Sequence, residues 1–245
     1  MIKMRVPRFY LNPILSSEHL TIDDPQRVHH ISKVLRMNTG SRIELFDGLG
    51  VGVQATITIV KRNKIECQVN SIEKYPKEKG RRISAIVPVI KKDAFVFMVQ
   101  KLTEIGVGDI LIYRAELEDQ SVTKKKNFSW LDYAEEIACM ACEQSGNNFL
   151  PIFTLSSSLQ EALTYFHKQF ENAELVSLET KNNLPISEII KQVDNDAAVI
   201  SGPESGLSNN ELAILKKSGA LSCSLGKNIL RAETAPIVAA FSLMR

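Results

Sequence analysis

Apolar residues follow two different rhythms along the chain. Up to about residue 75 they alternate with small or polar residues. Ser41–Phe46 approaches strict alternation and runs into Asp47-Gly48, a dipeptide suited to a tight hairpin turn. Val51–Ile59 and Lys64–Val69 alternate again. Short alternating strands at regular spacing predict a small β-barrel or sandwich, since each strand turns one face to a core and the other to water. One helix is predicted to interrupt them over Pro25–Met37, with Val28, Ile31, Val34 and Leu35 on one face and Lys33 and Arg36 elsewhere.

The polar, Pro- and Gly-containing stretch Tyr75–Arg82 marks a domain boundary. It divides the chain into residues 1–75 and 76–245. Beyond it, compact apolar runs alternate with segments of helical period. Ile83–Ile90, Asp109–Tyr113, Leu150–Thr154, Glu174–Glu179, Ala197–Ser201 and Ala220–Leu225 read as buried strands. Between them, Asp93–Ile105 reads as a helix capped by Gly106, and a second runs from Ser129 to Gly146. Capping boxes open two more at Ser158–Glu161 and Ser208–Glu211, Pro185–Val193 is a short helix, and Ala232–Met244 is the last. Strands that are apolar on both faces and alternate with helices predict an α/β domain with a mainly parallel sheet.

Composition narrows the field. The chain has 245 residues, 44% of them hydrophobic and 24% charged, which is ordinary globular composition. No apolar run approaches the roughly 18 residues that span a bilayer. The start, Met1–Arg8, lacks the apolar core of a signal peptide, so a soluble, cytoplasmic protein is expected. Four cysteines are too few for a disulfide framework, and the Cys139/Cys142 pair has no second Cys or His pair at zinc-like spacing, so no metal site is expected. Net charge is +2 overall, but residues 1–75 carry 11 Lys/Arg against 7 Asp/Glu while the rest is slightly acidic. A basic first part suits contact with a polyanion, although a merely solvated surface would show the same count.

Ligands of parallel α/β sheets bind beyond the carboxyl ends of the strands. Two late loops lie there. Ser201-Gly202-Pro203-Glu204-Ser205-Gly206-Leu207 joins a strand to a capped helix. It has no lysine and carries Glu204, which disfavours a phosphate and suits a ligand bringing donors or positive charge; a plain strand–helix turn is the alternative. Leu225-Gly226-Lys227-Asn228-Ile229-Leu230-Arg231-Ala232-Glu233 precedes the last helix, where Glu233 would also serve as an N-terminal charge. No GxGxxG follows a strand and opens a helix, so a dinucleotide site is not expected.

Taken together, "HHISKVLRMNTGSRIELFDG" (residues 29–48), "KKDAFVFMVQKLTEIGV" (91–107), "ACEQSG" (141–146), "SGPESGLSNNE" (201–211) and "LGKNILRAETA" (225–235) resemble the ribosomal RNA small-subunit methyltransferase E family of the SPOUT superfamily. The resemblance covers essentially the whole chain. It implies a PUA-like barrel that helps hold RNA, a C-terminal trefoil knot, a homodimer, and transfer of a methyl group from S-adenosylmethionine (SAM) to N3 of a uridine in 16S rRNA. SAM would be lined by Leu178, Ser201, Gly202, Pro203, Glu204, Gly206, Leu225, Gly226, Ile229, Leu230 and Arg231. The chain departs from the family pattern at Asn147, Ser205 and Asn228, and lacks an Arg at 115–117.

The chemistry requires N3 to lose its proton, which leaves negative charge on O2, N3 and O4. Arg231 is expected to stabilise that charge, with Glu233 or Glu204 accepting the proton or orienting Arg231. Arg5, Arg8, Lys33, Arg36 and Arg42 are the expected RNA contacts, with Lys124–Lys126 as a further basic run. Two other readings stay open: a SPOUT enzyme with another RNA target, and a non-catalytic SAM- or RNA-binding assembly factor.

Overall fold

The computed structural model describes residues 6–14, 17–77, 80–123, 129–179 and 184–244. Contacts divide the chain into two compact units, Met1–Glu78 with Cys142–Leu150, and Lys79–Ala141 with Pro151–Arg245.

In the first unit the alternating segments form strands β1 (Arg8–Tyr10), β2 (His19–Ile22), β3 (Arg42–Phe46), β4 (Val51–Val60) and β5 (Ile65–Lys74). They make one mixed sheet in the order β1-β3-β4-β5-β2, with β1 parallel to β3 and the other pairs antiparallel. This is a half-barrel: among the described residues no pairing joins the edge strands β1 and β2. Inward residues such as Phe9, Ile22, Ile43, Leu45, Val53, Ile57 and Ile65 build its core. The Asp47-Gly48 turn forms as its residues dictate. Asp47 Oδ1 accepts from the N–H groups of Leu49 (2.7 Å) and Val51 (2.9 Å), and Gly48 takes φ +72°, which an L side chain rarely adopts.

The helix expected at 25–37 is only partly regular. α1 (Pro25–His29) starts on Asp24, whose Oδ1 accepts from Arg27 N at 2.8 Å. It then widens into a π-helical turn over His30–Val34, closed by Leu35 N donating to His30 O (2.9 Å). The extra residue in that turn shifts the helical face. Val28 and Ile31 stay buried, but Val34 and Leu35 are 57% and 42% exposed, and Met37 enters the core instead, after Arg36 turns the chain at φ +52°.

Residues 142–150, which the sequence placed with the second domain, belong to the first unit. Gly50 N donates to Asn148 O (3.1 Å), Leu150 N to Gly48 O (2.9 Å), and Tyr10 N to Glu143 Oε1 (3.0 Å). These bonds join residues far apart in the chain, so no local pattern announces them.

The second unit contains β6 (Ile83–Pro88), α2 (Lys92–Glu104), β7 (Asp109–Tyr113), α3 (Gln120–Thr123), α4 (Trp130–Ser145, its last turn in the first unit), β8 (Ile152–Ser156) and α5 (Leu159–Gln169). It continues through β9 (Glu174–Leu178), β10 (Leu184–Pro185), α6 (Ile186–Ile189), β11 (Ala197–Ile200), α7 (Asn209–Lys217), β12 (Leu221–Ser224) and α8 (Thr234–Leu243). All seven strands are parallel, in the order β10-β12-β9-β11-β6-β7-β8. The apolar runs are explained by a core on each face. Ala85, Val87 and Val199 pack with Phe95 and Met98 of α2 and Ala239 and Ala240 of α8, whereas Ile86, Ala198 and Ile200 pack with Leu163 and Phe166 of α5 and Leu215 of α7. Of the two expected capping boxes, Ser208–Glu211 is complete. At Ser158 only half forms, because Glu161 turns to Ser157 N and Oγ, both at 2.6 Å.

Candidate functional site

β9, β11 and β12 are neighbours in the sheet and point the same way. Cys223 lies opposite Leu178, and Ile200 opposite Ser177, so the three strands finish side by side. Leu178, the loop 201–207 and the segment 225–233 therefore emerge at one edge of the sheet, from stretches 20 to 50 residues apart in sequence.

Ser201 is buried. Its N–H donates to Ile86 O (3.1 Å) and its carbonyl accepts from the hydroxyl of Tyr113 (2.9 Å), the last residue of β7. Its own Oγ is buried with no partner among the described residues. A buried hydroxyl without a partner carries a desolvation cost, so it is a natural place for a ligand atom. Gly202 is required by the loop itself: a Cβ there would lie 2.8 Å from Leu207 N and 2.9 Å from Gly206 C. Gly206 N donates to Pro203 O (2.8 Å), closing a tight turn whose tip exposes Glu204 and Ser205. Gly206 (φ +81°) and Gly226 (φ +125°) have open space where a side chain would stand, leaving the backbone approachable.

The segment after β12 runs from half-buried Leu225 through exposed Lys227, Asn228 and Ile229 to half-buried Leu230. Arg231 O then accepts from Thr234 N and Ala235 N, both at 3.0 Å, and starts α8. The Arg231 side chain is 87% exposed, and its Nη1 stands 3.8 Å from Oε1 of Glu233, which is 13% exposed. Among the described residues no hydrogen bond or ion pair joins Glu204 to either of them. The structure thus brings Arg231 and Glu233 together and leaves Glu204 apart.

Two features escaped the sequence reading. Glu179 Oε1 accepts from Ser177 Oγ (3.0 Å) and Ser222 Oγ (2.7 Å), fixing a carboxylate where β9 and β12 end. Its only signal was a charge directly after an apolar strand. The second is Glu116, after β7, which accepts from Ser208 Oγ and from Asn210 Nδ2 (2.5 Å). Those two donors hold its carboxyl below the ordinary value. Burial pushes the Cys223 thiol up to about 11, so it stays protonated and inert at neutral pH.

The expected RNA contacts in the first unit separate sharply. Lys33, Arg36 and Arg42 are exposed. Arg8 is not: its side chain is 3% exposed, pairs with Glu44 (3.2 Å), lies 4.0 Å over the Phe46 ring, and donates to Asn147 O (3.0 Å) and to the Asn148 side chain. The expected role of Arg8 at the RNA gives way to a structural one, because its guanidinium is consumed inside the unit. Arg5 and Lys124–Lys126 lie outside the described residues.

The chain thus joins a small mixed β-sheet unit to a parallel α/β domain with glycine-bearing loops gathered at the carboxyl edge of its sheet. Family profiles cover both parts: an RNA methyltransferase domain matches residues 77–244 and an RNA methyltransferase PUA domain residues 22–70. The chain belongs to this RNA methyltransferase family. It is 29% identical to the ribosomal RNA small subunit methyltransferase E of Bacillus subtilis, over 87% of this chain and 85% of the relative. It is 28% identical to the protein of the same name from Rickettsia conorii, over 96% and 94%. Among solved structures, ribosomal RNA small subunit methyltransferase E from Neisseria gonorrhoeae, bound to SAM, shares 30% identity with a TM-score of 0.82, covering 96% of this chain and 95% of that one. A Legionella pneumophila methyltransferase in complex with SAM shares 26% with a TM-score of 0.83, covering 98% and 97%.

Proposed function

We propose that this protein is a SAM-dependent methyltransferase of 16S rRNA that methylates N3 of a uridine in the small ribosomal subunit. The observation that carries the reading is the convergence of the β9, β11 and β12 ends on one edge, where Ser201 keeps a buried, unpartnered hydroxyl beside two glycine-bearing turns. The residues fit the group. Backbone atoms of Gly202–Gly206 and Leu225–Leu230, with Ser201 Oγ and the apolar side chain of Leu178, would hold SAM. When bound, SAM supplies an electrophilic methyl group that needs no further activation.

What remains for the protein is alignment and charge. Alignment of reacting groups is worth about 7–11 kcal/mol of barrier. Arg231 faces the negative charge that spreads over O2, N3 and O4 as uridine loses its proton, and Glu233, 3.8 Å from it, orients the guanidinium or takes the N3 proton. Glu204, apart from this pair, sits on the donor-binding turn. Lys33, Arg36 and Arg42 offer the RNA backbone a basic surface on the first unit. The target base has to leave its stack for N3 to be reached.

The same reading includes a homodimer and a C-terminal trefoil knot. α8 buries Pro236, Ala239, Ala240 and Leu243 yet exposes Val238 and Phe241 on its other side, and exposed Ile229 and Arg231 suit a site completed by a second copy. A monomeric mass by sedimentation equilibrium would refute the dimer. β12, formed late, is inserted between β10 and β9 rather than added at an edge, which suits a threaded chain. The reading also includes a cytoplasmic reaction, where small subunits are assembled; among the described residues no helix is long and apolar enough to cross a membrane.

The test is incubation of methyl-labelled SAM with small subunits lacking the modification, followed by nucleoside mass spectrometry and a reverse-transcription stop. Label in 3-methyluridine at one position of 16S rRNA is expected. Label in another nucleoside would reassign the target, and SAM binding without transfer would favour a non-catalytic assembly factor.

A further inference from the structure

The donor-binding turn does not stand by itself. It is fastened to the segment that follows β7, on the far side of β6. Ser205 Oγ, at the exposed tip of the turn, donates to Leu117 O at 2.5 Å. Three residues on, Ser208 Oγ and Asn210 Nδ2 both donate to the carboxylate of Glu116. The reverse direction is also used. Glu116 N donates to Oε1 of buried Glu211 (3.2 Å), whose Oε2 accepts from Ser208 N (2.8 Å) in the capping box of α7. At the root of the loop, Tyr113 Oη donates to Ser201 O. The segments 113–117 and 201–211 are therefore stitched together from root to tip.

The three bonds made by Ser205, Ser208 and Asn210 lie in solvent, where a hydrogen bond adds little to global stability. The fold does not need them. The sheet positions β7 and β11 through β6, and α7 is capped by its own Ser208 and Glu211. What the Ser205 bond does fix directly is the Pro203–Gly206 turn, and the Glu116 bonds hold the start of α7 into which that turn runs. A turn with glycine at 202 and 206 has backbone freedom that a ligand must freeze on binding, and that cost falls on affinity unless it has been met beforehand.

We infer that Ser205 and Glu116 are positioning residues that hold the 202–206 turn in its ligand-ready shape, so that they set the affinity for the methyl donor without touching the reacting atoms. This rests on the assignment of that turn to SAM. It makes Ser205, where the chain departs from the family pattern, a tether rather than a neutral change.

The experiment is calorimetric titration of the full-length protein with S-adenosylhomocysteine, alongside steady-state kinetics on small subunits. Ser205→Ala, Ser205→Gly and Glu116→Gln are expected to weaken binding about 3- to 10-fold, as loss of one hydrogen bond implies, with Ser205→Gly the weakest because it also frees the backbone. Ser205→Thr, which keeps the hydroxyl, is expected to stay within about twofold of the parent on the same scale. The KM for SAM should rise with the dissociation constant, while kcat at saturating SAM and the KM for small subunits stay level. A purely structural role would instead lower the unfolding midpoint and leave the donor affinity of the folded fraction unchanged. Parent-like affinity in folded Ser205→Gly and Glu116→Gln overturns the inference, and so does a loss confined to kcat. If the parent protein itself fails to bind S-adenosylhomocysteine, the donor assignment of the turn is wrong, a separate outcome.

Discussion

Arg8 and Arg42 carry the same charge on adjoining strands and should respond to mutation in opposite ways. Arg8 is enclosed by Glu44, Phe46 and the 142–148 segment, so Arg8→Ala takes the partner from the half-buried Glu44 carboxylate and from the carbonyls of Cys142 and Asn147. A loss of about 3–5 kcal/mol in urea unfolding is expected. Arg42 is exposed, and Arg42→Ala should leave stability unchanged, weaken RNA binding, and reduce the salt slope of that binding by about one. Equal stability losses for the two would contradict this division. Glu143 gives a pH test within the same unit. Burial raises its carboxyl, against the opposing pull of Tyr10 N–H, Arg27, His30 and Arg8. A raised folded value means its stabilising contribution is complete below the ordinary carboxylate range and is lost as pH climbs through the folded value. Glu143→Gln, whose amide oxygen can still accept from Tyr10 N, should match the parent near pH 4 and exceed it at pH 8 in urea midpoint. A variant weaker than the parent at pH 8 would show that the charge is a net benefit. At the other unit, Arg231→Ala should lower kcat about 10²–10³-fold with donor affinity nearly unchanged, as for removal of a group that meets charge only in the transition state. Intact turnover at saturating RNA and SAM would remove Arg231 from the chemistry.

Among the elements, the loop 201–207 is tightly packed at its root, Gly202. A methyl group at Gly202 meets backbone atoms of residues 206 and 207, which cannot swing aside as a side chain would. Gly202→Ala should therefore open the turn. We expect at least tenfold weaker binding of S-adenosylhomocysteine by calorimetry, with about 1–3 kcal/mol lost in unfolding. Unchanged binding would place the donor elsewhere. The elements also show where sequence reading succeeds. The central strands of the second unit were legible because both faces are buried, so Ile83–Pro88 and Asp109–Tyr113 have no exposed position to confuse the pattern. Gly106 was legible as a helix end and has φ +90°. The π-helical turn at His30–Val34 was not legible. Its residues fit an ordinary helix equally well, and only the tertiary demand to bury Met37 separates the two. The half-formed box at Ser158 failed for a similar reason, since a competing donor, Ser157, lay one residue away.

For the whole molecule, the sequence named most residues of the candidate site but not how they meet. Loops 201–207 and 225–233 stood out through glycines placed after strands. That both join the end of β9 follows from the order β12-β9-β11, which depends on pairings between segments 20 to 50 residues apart. Arg8 misled for the converse reason: its type suggested RNA, and only the chain's return at residues 142–148 shows that it is buried. The second unit also has a cavity of about 640 Å³ at the opposite edge of the sheet, lined by Arg81, Phe170, Glu171, Asp194 and Asp196. It lies where strands β6, β9 and β11 begin, away from the edge where parallel sheets bind ligands, and its acidic lining offers nothing to a polyanion. The choice between the two edges is therefore decisive. A crystal structure of the full chain with S-adenosylhomocysteine tests it directly. The account predicts the molecule against residues 201–206 and 225–230, with Ser201 Oγ gaining a partner. Ordered density at the opposite edge, or a 201–206 turn closed over by its own side chains, would contradict it.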